Sequence, residues 1–451
     1  MPNLKDLPGV EQAQVIDRDQ HPISRQDISP NALKVLYRLT SAGYSGFLVG
    51  GGVRDLLLDN KPKDFDVATD ATPEEIKQLF RNARIIGRRF RIVHVRYGRE
   101  IIEVTTFRAA PDKQLEVSDK SSRKQLQSID SAQTREGMIV RDNVYGRIDE
   151  DAARRDFTIN ALYYTTDGFK LLDFCGAMAD IEDRSIRMIG DATERYREDP
   201  VRMLRALRFS AKLGFDIAPE TASPIEDLAD LLTSISPARL FDEVVKLFSS
   251  GHAESTFTLL IESRVREFIL GPTFEALECC EPQVFRLVEL AMKNTDLRIA
   301  DDKSVTPYFL FAALLWPPLR LTMKQAGVES MNSSSQFIDV ANQTISNQLS
   351  LTAIPKRISY ASREIWELQN RLTHRARRTI DATLNHPRFR AAYDFLLLRE
   401  AAGESLGESG EWWTVYQFGD TTQRDELLEQ LPNTRRKRRR KRRSSASNNS
   451  D

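Results

Sequence analysis

The chain has 451 residues, 41% of them apolar and 29% charged, a soluble globular balance long enough for two or more domains. No apolar run long enough to span a membrane and no apolar signal-peptide core is present, so the expectation is a cytoplasmic protein. Cys175, Cys279 and Cys280 cannot build a disulfide framework, and with five scattered histidines they show no zinc spacing. The formal net charge of zero hides a division. Arg435 to Arg443 are nine consecutive basic residues, and without them 56 basic residues face 65 acidic ones, a body of −9 beside a +9 tail. Such a block cannot fold alone; its charge density suits a nucleic-acid backbone, with nuclear targeting or a solvated tail as rival readings.

In chain order, residues 1–29 read as an irregular N-terminal extension. Ser29-Pro30-Asn31 opens a helix that runs to Gly43, with Ala32, Val35, Leu36 and Leu39 on its apolar face. Phe47-Leu48-Val49 is a short buried strand, and Gly50, Gly51 and Gly52 follow. Glycines can take positive φ and let a ligand approach the main chain, and the helix from Val53 to Leu58 offers its N-terminus to an anion. The Gly-Lys-Ser/Thr of a P-loop is missing, and an ordinary glycine turn is the bland alternative.

Lys63-Asp64-Phe65-Asp66-Val67 sharpens this. Residues i and i+2 of a strand point the same way, so Asp64 and Asp66 share one face and repel each other unless a cation lies between them. Mg²⁺ prefers carboxylate oxygens together with substrate phosphates. Phosphate turn plus paired carboxylates reads as nucleotide chemistry. Thr72-Pro73-Glu74-Glu75 is a helix-capping pattern. Ile92 to Tyr97 and Ile101 to Phe107, joined at Gly98, predict a hairpin in which Glu103 and Thr105 share a face. Glu103 then faces the Asp pair as a third carboxylate, or is an ordinary outward Glu.

Residues 109–137 are polar and aperiodic, a surface loop. In Asp149 to Leu162 the leading acids favour a helix start, Asp156 and Asn160 lie at i, i+4 on one helix face, and Arg154 and Arg155 can clamp a triphosphate. A surface helix laced with ion pairs is the alternative. At Glu198-Asp199-Pro200-Val201-Arg202, Asp199 is a good N-cap and Pro200 a good first residue. Arg202, Arg205 and Arg208 then run along one side and need an anion nearby. Beyond about 185 the pattern is helical to about 400, and 401–451 reads as low complexity ending in the basic run.

Taken together, Gly50-Gly51-Gly52-Val53-Arg54-Asp55, Asp64-Phe65-Asp66, Arg154-Arg155-Asp156-Phe157-Thr158-Ile159-Asn160-Ala161 and Glu198-Asp199-Pro200-Val201-Arg202-Met203-Leu204-Arg205 resemble the class II nucleotidyltransferases, the superfamily of bacterial poly(A) polymerases and CCA-adding tRNA nucleotidyltransferases. Within it, Ile354-Pro355-Lys356-Arg357, the segment His386 to Arg399 and the basic tail are similar to the bacterial poly(A) polymerase I family. The resemblance implies an α+β fold: a nucleotidyltransferase head with a mixed or antiparallel sheet at 30–175, a helical neck at 176–240, a helical RNA-binding body at 241–400, and a disordered basic tail within 401–451. It implies template-independent addition of AMP from ATP to RNA 3′ ends, with addition of CCA to tRNA as the alternative. Asp64, Asp66 and Asp156 carry over as catalytic acids, and Asp64, Asp66 and Glu103 as ligands of Mg²⁺, with Mn²⁺ as a substitute. Gly51, Gly52, Arg54, Arg154, Arg155, Asn160, Asp199, Arg202 and Arg205 carry over as nucleotide-binding residues. The implied partners are ATP and RNA 3′ ends, with RNA-decay enzymes as further candidates.

Overall fold

A computed structural model describes residues 4–87, 91–109, 131–133, 139–142, 144–331 and 335–431. The basic run 435–443 and most of the 109–137 segment lie outside these residues. The chain divides into two units: Met1–Phe274 with Thr295–Asp302 and Ser350–Ala353, and Glu275–Asn294 with Lys303–Leu349 and Ile354–Asp451.

The first unit is built on a mixed eight-stranded sheet. Its strands are β1 (Gln14–Ile16), β2 (Gly46–Val49), β3 (Asp66–Thr69), β4 (Ala83–Ile86), β5 (Ile92–Tyr97), β6 (Glu100–Thr106), β9 (Leu162–Tyr164) and β10 (Leu171–Asp173), and a separate hairpin supplies β7 (Ser131–Gln133) and β8 (Ile139–Asp142). The order is β1-β10-β9-β2-β3-β6-β5-β4. Neighbours are antiparallel except β3 and β6, which run parallel with Asp66 opposite Glu103. The expected hairpin at Gly98 is β5–β6.

Strand alternation feeds two cores. Leu48, Val67, Val104, Leu162 and Tyr164 pack with Val35, Leu36 and Leu39 of helix α1 (Pro30–Ser41), Val53 and Leu56 of α2 (Gly51–Leu57) and Ile76 of α3 (Pro73–Leu79). Phe47, Val49, Ala68, Phe107 and Tyr163 face the other way, onto Ile148 and Ala152 of the helix Ile148–Arg154. Ser29 caps α1 as its sequence predicts, and Thr72 and Glu75 form a reciprocal capping box on α3.

Several expectations are corrected. Residues 1–29 are not merely irregular, because Gln14–Ile16 pairs with β10 and forms the edge strand of the sheet. The helical region after 176 contains one short parallel pair, Ser185–Ile186 with Asp216–Ile217. Residues 401–431 are not low complexity: they hold the helices Ser409–Phe418 and Thr421–Glu429. Gly403, Gly407 and Gly410 obscure an apolar stretch in which Trp412, Trp413 and Tyr416 are buried. In the second unit Trp413 Nε1 donates to Leu372 O (2.9 Å), and Trp366 Nε1 donates to Ala312 O (3.0 Å), so both large apolar rings are buried without stranding a donor. Among the described residues no helix is long and apolar enough to cross a membrane.

Gly50 joins β2 to α2 with φ +73° and ψ −143°, a conformation that belongs to glycine. Gly50→Ala is therefore expected to destabilise the first unit by about 1–3 kcal/mol, read as a lowered urea midpoint relative to a Gly271→Ala control, whose backbone is not at positive φ and whose new methyl meets only Leu351 Cδ1, at 3.6 Å.

Candidate active site

The glycine turn and the acids meet where β2 ends and β3 begins. Val49 is opposite Asp66, so the turn after β2 lies beside the first residue of β3. A methyl group placed on Gly50 would stand 3.6 Å from Asp66 Oδ2 and 3.7 Å from Arg155 Nη1. On Gly52 it would stand 3.2 Å from the Asp64 carbonyl oxygen. Gly50 and Gly52 thus keep the main chain close to the acids and to a guanidinium. The helix that follows starts at Gly51, two residues earlier than expected, and no side chain caps it.

Only Asp66 of the aspartate pair lies within the strand; Asp64 precedes it and is exposed. Buried Phe65 between them preserves the alternation, so the two carboxylates still alternate with an apolar anchor. Burial pushes the Asp66 carboxyl up to about 6; Glu103 and Asp64 add to the rise and Arg155 opposes it. Such a carboxylate suits a cation.

Glu103 comes from the neighbouring strand, as its alternation predicts, but it is already engaged: Oε1 lies 3.0 Å from His94 Nε2 on β5. Among the described residues no group of three or more His, Cys, Asp or Glu side chains is gathered to hold a metal ion. The three-carboxylate set is therefore not preassembled, because Glu103 is one strand away and turned toward His94. The donors present still fit Mg²⁺, which binds through one or two carboxylates and completes its shell with water and phosphate.

Asp156 and Asn160 do not share a helix. The helix ends at Arg154, and Thr158–Asn160 is a separate single turn. The contact nevertheless forms, with Asn160 Nδ2 donating to Asp156 Oδ1 at 3.1 Å. Arg205 Nε donates to the other oxygen of Asp156 at 2.7 Å. Burial would raise the Asp156 carboxyl, but Arg205, the Phe157 N–H and Asn160 outweigh it and hold it well below the usual carboxylate range. Arg54 is a correction. It is 1% exposed, with Nη1 on Asn160 Oδ1 (2.6 Å) and Nε and Nη2 on Asp55 Oδ1, so it faces neighbouring side chains and not an open surface. Arg154 donates to the Ala109 carbonyl. Arg155 spans Tyr163 Oη (2.8 Å) and Asp151 Oδ2 (3.2 Å), and its ring contact with Tyr163 is a cation–π stack.

The arginine helix is Val201–Leu213. Asp199 does not cap it: the carboxylate pairs with Arg239 Nη2 at 2.7 Å, and Asp199 ends the preceding helix. Arg202 donates to Glu198 (2.9 Å) and to the Arg195 carbonyl (2.7 Å). Arg208 stacks on Phe209, and burial with nearby Arg205 pushes its guanidinium down to about 10. Several half-buried guanidiniums on one side favour an anion there.

Three family models match in order: the poly A polymerase head domain over residues 46–187, a "Probable RNA and SrmB-binding site of polymerase A" over 214–277, and the polymerase A arginine-rich C-terminus over 329–446. Poly(A) polymerase I of Escherichia coli O6:H1 is 47% identical over 94% of this chain and 91% of its own length. The chain belongs to the bacterial poly(A) polymerase I family. A CCA-adding enzyme of Lactobacillus helveticus is 36% identical over 53% of this chain and 55% of its own length. The solved Bacillus stearothermophilus CCA-adding enzyme in complex with CTP is 26% identical, with a TM-score of 0.53 over 85% of this chain and 81% of that one. Membership in the family makes the chain an enzyme of the nucleotidyltransferase superfamily.

Sequence reasoning missed four side chains that hold this family member's site together. Asp151 is buried and accepts from Tyr163 Oη (2.6 Å), Arg155 and the Arg108 N–H; its i, i+4 spacing to Arg155 was the available signal. Arg195 donates to the carbonyls of Arg154 and Arg155 and to Glu198 (2.7 Å), a partner three residues on. Tyr163 reads as plain core, and Arg239 has no local signal because its partner is forty residues away.

The raised Asp66 carboxyl yields a test. Folded, it titrates near 6; unfolded, near 3.8, so metal-free stability falls as pH rises through that window. Asp66→Asn is expected to raise the stability of chelator-treated protein at pH 7.5 by about 1–2 kcal/mol and to give no gain at pH 3.5, measured by urea unfolding.

Proposed function

We propose that this chain adds AMP from ATP to RNA 3′ ends without a template and releases pyrophosphate, in the cytoplasm and with Mg²⁺ as its ion. Family membership supports the reaction class. The observation that carries the site is the meeting of Gly50, Asp66 and Arg155 at one sheet end, where phosphate, metal and counter-charge are needed together. The three free cysteines fit a reducing compartment.

In this reading Asp64 and Asp66 hold the ion, and Glu103 flanks them and keeps the pocket anionic. When bound, the ion lowers the pKa of the RNA 3′-hydroxyl and neutralises charge on the triphosphate, with a second ion completing the two-metal arrangement. Gly51 and Gly52 offer main-chain N–H groups to the phosphates. Arg154, Arg155 and Arg205 surround the triphosphate, and Asp156 with Asn160 holds Arg205 in place. Asp199 and Arg202 contact the base. Arg54 serves from behind, as a brace. Positioning and charge neutralisation supply most of the acceleration. RNA-decay enzymes are proposed as protein partners, and the basic run 435–443 as a sequence-blind RNA tether.

RNA incubated with ATP and Mg²⁺ is expected to give long ladders on a gel; one or two added nucleotides would instead indicate a CCA-adding enzyme. Asp64→Ala is expected to cut AMP incorporation by at least about a hundredfold, and near-normal incorporation would refute its assignment. Raising salt from 50 to 200 mM is expected to weaken RNA binding of the full chain more steeply than that of a chain ending at 431, read by filter binding.

A further inference from the structure

The arginine helix is fastened to the glycine turn by a closed circuit of hydrogen bonds. Lys212 Nζ reaches Asp55 Oδ2 at 3.0 Å. Asp55 Oδ1 accepts from Arg54 Nε (2.9 Å) and Nη2 (2.6 Å). Arg54 Nη1 donates to Asn160 Oδ1 (2.6 Å), and Asn160 Nδ2 donates to Asp156 Oδ1 (3.1 Å). Asp156 Oδ2 accepts from Arg205 Nε (2.7 Å). Arg205 and Lys212 are seven residues apart on the same helix, so the circuit returns to where it began. Phe209 fills its centre: Arg54 and Arg205 both lie over its ring at 5.1 Å, and Phe157 meets it edge-on at 5.8 Å.

Each link has one geometric consequence. Asp55 is the residue after Arg54 on α2, so it fixes how Arg54 leaves the turn. Arg54 orients the Asn160 amide by taking its oxygen, which leaves the amide N–H₂ for Asp156. That sets which carboxylate oxygen remains for Arg205. Of all the members, Lys212 alone sits two turns away from the groups assigned to nucleotide, with its side chain about one third exposed. The ammonium end of the pair is screened by water, and without it the largely buried Asp55 carboxylate keeps its two bonds from Arg54. Its value therefore lies in geometry, because it closes the circuit on the second oxygen of Asp55 and holds the far end of the helix against the turn.

We infer that Lys212 and Asp55 are positioning residues for the nucleotide: they set the separation between the turn that takes the phosphates and the helix that carries Arg202 and Arg205. This rests on the proposed nucleotide site. Lys212 touches no reacting group. Its loss lets the helix shift relative to the turn, which weakens the grip on the nucleotide before it affects the chemical step.

The test compares wild type, Lys212→Met, Lys212→Arg and Asp55→Asn, by steady-state RNA extension and by calorimetric binding of ATP to the full chain. Lys212→Met is expected to raise KM for ATP, and the calorimetric Kd with it, about tenfold, with kcat within about twofold and the melting temperature essentially unchanged. Lys212→Arg is expected to recover most of the ATP affinity. Asp55→Asn combined with Lys212→Met is expected to be no worse than the worse single variant, since both open the same circuit. Unchanged ATP affinity in Lys212→Met, or a loss that Lys212→Arg does not repair, overturns the inference. So does a fall in kcat and melting temperature without a change in KM. If wild type binds ATP but fails to extend RNA, the proposed reaction falls, and the calorimetric ratio still decides the role of Lys212.

Discussion

Asp156 is the carboxylate on which the first unit turns. One oxygen takes the Asn160 amide and the other takes Arg205, so a single buried acid joins the irregular turn after the sheet-covering helix to the arginine helix. Arg205 is about one third exposed, and the Asp156 carboxylate also accepts from the Phe157 N–H, so the acid is held by several donors at once. The join is therefore shared among three donors. Asp156 answers Arg205, Glu198 answers Arg202 and the Phe209 ring faces Arg208, so three guanidiniums share one helix side.

The opposite sign is concentrated a short way off, at the start of β3. Asp66 is half-buried, paired in register with Glu103 and near Asp64, and Arg155 opposes their effect on it. Positive and negative fields thus stand side by side, separated by the width of a glycine turn. A triphosphate with its cation is a ligand of matching polarity, anionic toward the arginines and cationic toward the aspartates. Neither half is content alone, and local stability is given up for a site ready to bind.

What was legible in the sequence follows from the range of the interactions involved. The helix from Pro30, the capping box at Thr72 and the β5–β6 hairpin rest on neighbours within a few residues, and all three are present. The position of Glu103 opposite Asp66 was legible too, because strand alternation allows few faces. Asp199 was misread because its short-range role as a cap lost to an ion pair with Arg239, forty residues on. Arg54 was misread for a related reason: its motif marks it as important without saying which way the guanidinium points, and Asn160 draws it inward. Residues 401–431 were obscured by glycines that punctuate, yet do not prevent, helices anchored by Trp412 and Trp413.

The one parallel pairing in the sheet has a consequence for how the enzyme is made. α3, β4 and β5 intervene in sequence between β3 and β6, which lie side by side in the sheet, so the meeting of Asp66 with Glu103 is a contact of long sequence separation. Contacts of that kind form late and slowly, because loop closure must precede them. Asp156 and Arg205 come later still along the chain. A ribosome-bound fragment that has displayed only the glycine turn and the aspartates therefore holds no competent centre. The pairing of Asp66 with Glu103 and the bond between Asp156 and Arg205 both wait on chain that follows the glycine turn.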